Sequence, residues 1–319
     1  MNLLAIARNG FLESIRQPIY AVVLLAGGLA LVLNANLAAY TFEDDDKLLV
    51  DLGLSTLFVA GLLLAAFLAT SVLTREIENK TVLTVVSKPV ARAAVVVGKY
   101  LGVAGALALA AWTLAAVFLL TVRHRVRPGA EIAEAFDMPV LVFAVLGGGL
   151  AVGGAALGNY LQRRPFPSLL AGCLAIGMTA ALGLVSCIDP GWRLQHPLAD
   201  FDGQLIAALV LVLEAILVLA AVAIAASTRL GQVMTLMVCT AGFLVGLVSE
   251  SFLGPAAAGW AAPLAAAVPN LQTFWMADAL TQAAPITARY LGTASLYAAC
   301  MVAAILSLAV LLFQRRDVG

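Results

Sequence analysis

Eight stretches of this chain are each about twenty residues long, continuous in apolar side chains and nearly free of charge. They fall at roughly 19–38, 52–73, 98–122, 139–160, 167–187, 204–227, 231–250 and 290–313. This feature limits the possible folds more than any motif does. An α-helix rises ~1.5 Å per residue, so ~20 apolar residues cross the ~30 Å hydrocarbon core of a bilayer. Water is not a workable solvent for so many such runs. Only 11% of the 319 residues are charged and 63% are hydrophobic, whereas soluble domains carry ~25% charged residues. The runs do not alternate, and they are rich in Ala, Leu and Gly, which argues for helices and against barrel strands. The expected fold class is therefore all-α: a polytopic membrane bundle of about eight transmembrane helices. No polar block is long enough to be a separate soluble domain, so 1–319 reads as a single transmembrane domain.

Orientation follows from Lys and Arg. With the N-terminus inside and eight crossings, the inner side carries Arg8, Arg16, Arg75, Lys80, Lys88, Arg92, Lys99, Arg163, Arg164, Arg229, Arg315 and Arg316. The outer side carries Lys47, Arg123, Arg125, Arg127, Arg193 and Arg289. Twelve against six supports N-in, C-in. The outer cluster Arg123–Arg127 runs against the bias, and Glu131, Glu134 and Asp137 stand close enough to balance it. The first apolar run is a full span without a cleavage site behind a short hydrophobic segment, so no cleavable signal peptide is expected. Before it, residues 1–18 read as an interfacial helix. Leu4, Ile6, Ala7, Phe11, Leu12 and Ile15 form an apolar face opposite Arg8, Asn9, Glu13, Arg16 and Gln17, and Pro18 closes the segment.

Several chemistries find no support in the sequence. Cys173, Cys187, Cys239 and Cys300 lie in or at the ends of spans with no CxxC spacing, which suits packing better than a disulfide or metal framework. His124 and His196 are the only histidines. No Ser/His/Asp constellation assembles, so no catalytic residues are assigned and the chain is not expected to be an enzyme. Gly98-Lys99 is not a phosphate loop, because Ala93 occupies the upstream glycine position and Tyr100 stands where Ser or Thr is required. No cofactor and no metal is expected in this chain. Glu214 is the only acid deep in an expected span, which makes it the intramembrane polar candidate for a translocation or proton role. Gly149/Gly153 and Gly154/Gly158 provide GxxxG spacings for close helix approach, either within the bundle or at a dimer seam. The segment 251–289 is apolar but is broken by Pro255, Pro263, Pro269 and Pro285. It reads as short outer interfacial helices anchored by Trp260, Trp275 and Tyr290.

The densest charge lies at 74–97, between the second and third spans on the inner side. Arg75 to Val86 is expected to form a short helix with Glu76 and Glu78 near its positive end. Ser87 and Pro89 suit the cap and first turn of a second helix. Lys99 is expected to snorkel to the headgroups as the third span begins.

The order of these residues, TREIENKTVLTVVSKPVARAAVVVGKYLG, resembles the corresponding loop of type-2 ABC transporter permeases. The match rests on an acidic pair (Glu76, Glu78), then Thr81, Leu83, Ser87-Lys88-Pro89-Val90, Arg92 and Gly98-Lys99; Lys80 replaces the family's usual glycine. Residues 223–250, PNLQTFW at 269–275 and the closing LLFQRRDVG also resemble that family. Its nearest members are permeases of the multi-copper enzyme maturation group and related bacterial exporter subunits. The family core has six spans, so spans 4 and 5 here resemble an inserted pair.

The resemblance implies a permease subunit, exporter-like, in a bacterial cytoplasmic (inner) membrane. ATP hydrolysis would take place in a partner chain. It implies a cytoplasmic ABC ATPase subunit as partner, a second permease subunit in a homo- or heterodimer, and lipid around both; no nucleic-acid partner is expected. The loop would be the coupling contact, with Glu76, Glu78, Thr81, Lys88 and Arg92 as its transmission residues. Two alternatives stand beside it: an ion- or proton-coupled secondary transporter, and a membrane scaffold for envelope-enzyme assembly.

Overall fold

The computed structural model describes residues 3–38, 45–78, 92–124, 136–253, 268–282 and 284–314. Ten α-helices account for most of them: α1 Leu3–Ile15, α2 Pro18–Ala38, α3 Asp45–Glu78, α4 Arg92–His124, α5 Met138–Gln162, α6 Phe166–Ser186, α7 Gly203–Ser227, α8 Gln232–Leu253, α9 Ala277–Thr281 and α10 Ala288–Gln314. Among the described residues there is no strand, only an isolated bridge between Ile188 and Leu194. Eight of the helices, α2 to α8 and α10, are long and apolar enough to cross a membrane. The chain is an all-α, multi-pass membrane bundle.

The centre of the bundle is α3, α4 and α7. Leu54, Leu64 and Leu68, Leu107, and Leu211 with Ile216 are its largest fully buried aliphatic side chains. Helices α2, α8 and α10 pack around this centre. The α5–α6 hairpin is peripheral. It has a smaller core of its own, with Ala151, Ala155, Leu170, Leu174 and Met178 reaching Ala116 and Leu120 of α4. The two hairpin helices touch most closely at Gly147 and Gly177. A Cβ built on either glycine would lie 2.7 or 2.5 Å from the other's carbonyl oxygen. Within the chain the GxxxG glycines are not that contact: Gly149 and Gly153 have no neighbour within 4 Å of a built Cβ, and Gly154 and Gly158 meet only the side chains of Cys173 and Leu169.

Side-chain ties sort the helix ends onto two sides. On one side, Arg92 of α4 and Arg229, just after α7, both reach the end of α10, and Lys99 reaches Glu13 of α1. On the other, Arg123 of α4 pairs with Asp137 at the start of α5, and Gln204 of α7 accepts from the Ile286 amide before α10. The two ends of α4 therefore lie on opposite sides. Its 33 residues extend ~50 Å, which exceeds the hydrocarbon thickness.

Helices outrun the apolar runs. Residues 74–78 are the last turn of α3, and 92–97 are the opening of α4. The separate helix expected from Arg75 therefore does not begin there. Glu76 and Glu78 end a membrane helix, where the macrodipole is negative, instead of opening a new one. Residues 79–91, including Ser87 and Pro89, lie outside the described residues.

Candidate functional site

The inner junction is built from α1 and the first four turns of α4. Helix α1 buries Ile6, Gly10, Ser14 and Ile15, whereas Leu4 is 80% exposed. The buried face is thus rotated from the one that hydrophobicity marks, because it is selected by small residues. Gly98, Gly102 and Gly105 line the facing side of α4. A Cβ on Gly102 would lie 2.6 Å from the Ala7 carbonyl oxygen and 2.7 Å from the Phe11 nitrogen. The two backbones meet, and only glycine permits that separation.

This close approach brings Lys99 Nζ to 3.3 Å from Glu13 Oε2, with the Lys99 side chain 5% exposed. Lys99 does not snorkel to the headgroups as expected; the covering helix α1 supplies its carboxylate. Ser14 donates to the Gly10 carbonyl at 2.8 Å.

Two arginines finish the junction. Arg92, at the first residue of α4, donates to the Gln314 carbonyl at 2.9 Å, and Arg229 donates to the Leu312 carbonyl at 3.0 Å. These carbonyls belong to the last turn of α10, where helical acceptors lack partners and a cation is favoured. Of the expected transmission residues, Arg92 is thereby placed. Glu76 and Glu78 lie on the last turn of α3, with side chains outside the described residues. Thr81 and Lys88 lie wholly outside them.

Glu214 sits halfway along α7. Its Oε1 accepts from Ser295 Oγ of α10 at 2.5 Å, and Ser295 Oγ also lies 2.9 Å from the Leu291 carbonyl. Oε2 is buried with no hydrogen-bond partner among the described residues. Asp51 also falls in a candidate span, Lys47–Val72 of α3, but close to its end, whereas Glu214 lies deep in its own. Asp51 also has a buried oxygen, Oδ1, without a partner among the described residues.

At the outer end, Arg123 is a hub that sequence reasoning found only in part. Its side chain is 4% exposed. It pairs with Asp137 at 3.2 Å and with Asp200 at 3.4 Å, and it donates to the Val185 and Ile188 carbonyls. Asp137 also caps α5, accepting from the Val140 amide at 3.2 Å. The balancing role expected of Asp137 is thus visible, whereas Glu131 and Glu134 lie outside the described residues. Asp200 is 77 residues from Arg123 in sequence, and no local signal links them.

Of the outer segment, 251–253 are the end of α8, and 268–289 is described apart from residue 283. A 3₁₀ turn at Gln272–Phe274 and the short α9 fit the expectation of brief helices. Tyr290 donates to the Thr273 carbonyl at 2.8 Å, the Asn270 amide donates to the Tyr297 hydroxyl at 2.8 Å, and Trp275 meets Phe58 of α3 edge-on at 6.2 Å. Residues 254–267, Trp260 among them, lie outside the described residues.

No family model matches this chain, and no curated protein matches it. The fold and the helix-end ties define a multi-pass helical membrane protein, braced at both of its faces.

Proposed function

We propose that this chain is the membrane-spanning permease subunit of an ABC transporter, exporter-like, driven by a separate cytoplasmic ATPase and working beside a second permease subunit. The residue order of 74–102 supports this reading. The structural observation that carries it is the bracing around the connection between α3 and α4. A force applied at 79–91 enters α3 and α4. Gly102 sets α4 backbone-to-backbone against α1, Gly98 admits the Ile6 side chain, Lys99 ties α4 to Glu13, and Arg92 ties it to the end of α10. Tightly packed elements transmit displacement as bodies, without deforming continuously. A push of a few ångströms at the connection therefore reaches α1, α4 and α10 together.

The experiment is affinity purification of the tagged chain from native membranes in mild detergent, with and without Glu76→Lys and Glu78→Lys. An ATPase subunit accompanies the wild-type chain and is lost from the double variant. If the intact, inserted wild-type chain brings down no ATPase, the reading fails.

One observation favours the coupled-transporter reading instead. A mid-span carboxylate with one buried, unpartnered oxygen is costly to keep, and such groups mark ion and proton paths. On that reading, the purified chain alone in liposomes moves substrate down an imposed proton or ion gradient, and Glu214→Gln abolishes the movement. Gradient-independent, ATPase-dependent transport by the Gln variant excludes it.

A further inference from the structure

In the connection between α6 and α7, residues 187–202, the acids bond within the protein while three large apolar side chains face outward. Asp189 Oδ1 accepts from the Arg193 amide at 2.7 Å, and the Asp189 amide donates to the Arg193 carbonyl at 2.8 Å. Gln195 Nε2 donates to Asp200 Oδ2 at 2.6 Å, Asp200 pairs with buried Arg123, and Asp202 caps α7 by accepting from the Gln204 amide at 2.9 Å. The loop's three acids are thus all engaged within the protein.

Three of its large apolar side chains face outward, while Phe201 packs against the core. Trp192 is 53% exposed, Leu194 89% and Leu198 59%. Trp192 and Leu198 also hold left-handed backbone, with φ of 62° and 65°. Bulky residues adopt that region at a cost of order 1 kcal/mol, and it persists only where the surroundings enforce it. The loop is therefore a rigid mount that presents three apolar side chains.

Position identifies what they meet. The Trp192 ring lies 6.0 Å from Phe143. Phe143 is five residues, ~7.5 Å, inside the start of α5 at Met138. The indole therefore stands beside the apolar run of α5, not above it. At the same end Phe136 and Met138 are exposed, and Leu141, Val142 and Val145 continue that exposed surface down the helix.

We infer that loop 187–202 is a wedge that binds the outer-leaflet lipid surface, with Trp192, Leu194 and Leu198 entering the boundary between headgroups and acyl chains. Tryptophan favours that boundary, because its ring is apolar and its N–H finds water or headgroup oxygens. Arg193, exposed between Trp192 and Leu194, is placed to meet lipid phosphate. The assignment does not depend on the permease reading.

The test uses the full chain in phosphatidylcholine vesicles whose acyl chains are brominated at a chosen depth. The wild-type emission minus that of Trp192→Phe isolates the Trp192 signal. Most of that signal is lost with bromines just below the glycerol, less is lost with bromines near the bilayer centre, and aqueous iodide removes little. Quenching by iodide without quenching by lipid means the loop stands in water and overturns the wedge. Protection from both quenchers means that protein covers the patch, a second copy included, and overturns it equally. A spin label at Leu194→Cys, in a chain whose native cysteines are replaced by serine, reads the same question at a tolerant site. Collisions with oxygen exceed those with a water-soluble nickel chelate if the wedge is in lipid, and the reverse order overturns it.

Discussion

At the residue scale, the decisive positions are the glycines at which backbones touch. Gly102 and Gly149 look alike in sequence, each in an apolar helix with other small residues nearby. In the fold they are opposites. Any side chain at 102 meets the backbone of α1 within 3 Å, whereas 149 faces open space. A flexible side-chain tip can yield to an added methyl group; a helix backbone cannot. Gly102→Val should cost at least the ~1–3 kcal/mol typical of overpacking and should separate α1 from α4, carrying Glu13 away from Lys99. Gly149→Val should be nearly neutral, gaining helix propensity relative to glycine. Thermal unfolding of the two variants in the same detergent checks this. Equal midpoints would remove the α1–α4 contact from the account of the inner junction.

At the scale of elements, the Arg123 hub joins the end of α4, the cap of α5, the end of α6 and the loop leading to α7. Breaking a buried ion pair strands the remaining charge, at about 3–5 kcal/mol. Arg123→Met leaves Asp137, whose side chain is 7% exposed, without its guanidinium. Adding Asp137→Asn removes the stranded charge, so the double variant should be markedly less destabilised than the sum of the singles, a coupling that a double-mutant cycle in detergent measures. Strict additivity would mean the pair contributes nothing as a pair.

The same elements show how far the sequence could be read. The eight spans were legible because continuous apolar runs report helix length directly. The ends of α3 and the start of α4 were not, because these helices continue beyond the apolar stretch, where composition no longer signals them. Charge placed Lys99 at the headgroups and set Asp137 beside Arg123, but it did not reveal the partners Glu13 and Asp200, which tertiary packing brings in from distant segments. Glu214 stood out as an acid in an apolar run, whereas Ser295 is one of several serines with nothing to single it out. Spacing alone did not find the close contact within the chain, at Gly147 and Gly177, because GxxxG reports where a close approach is allowed, not where a neighbour stands.

At the scale of the whole molecule, the two faces are braced differently. The outer face is held by a buried charge hub. The inner face is held by backbone contact at α1–α4 and by two exposed arginines on the end of α10. Each exposed arginine contributes only ~0.3–1 kcal/mol through the helix terminus, so neither is needed for folding. Their geometric effect is larger: Arg92 joins α10 to the start of α4, and Arg229 joins it to the turn between α7 and α8. Without them α10 keeps its packing on α7 and its smaller contact with α4 but loses the polar tie between its end and the start of α4. If the chain is an ABC permease, Arg92→Ala with Arg229→Ala should lower the unfolding midpoint by no more than a few degrees. It should leave co-purification of the ATPase intact and should uncouple ATP hydrolysis from transport, so that substrate movement per ATP falls several-fold in vesicles. Undiminished transport per ATP in that variant would show that α10 is not moved through these contacts. Loss of the ATPase itself would show that the arginines form the partner's seat and do not relay its motion.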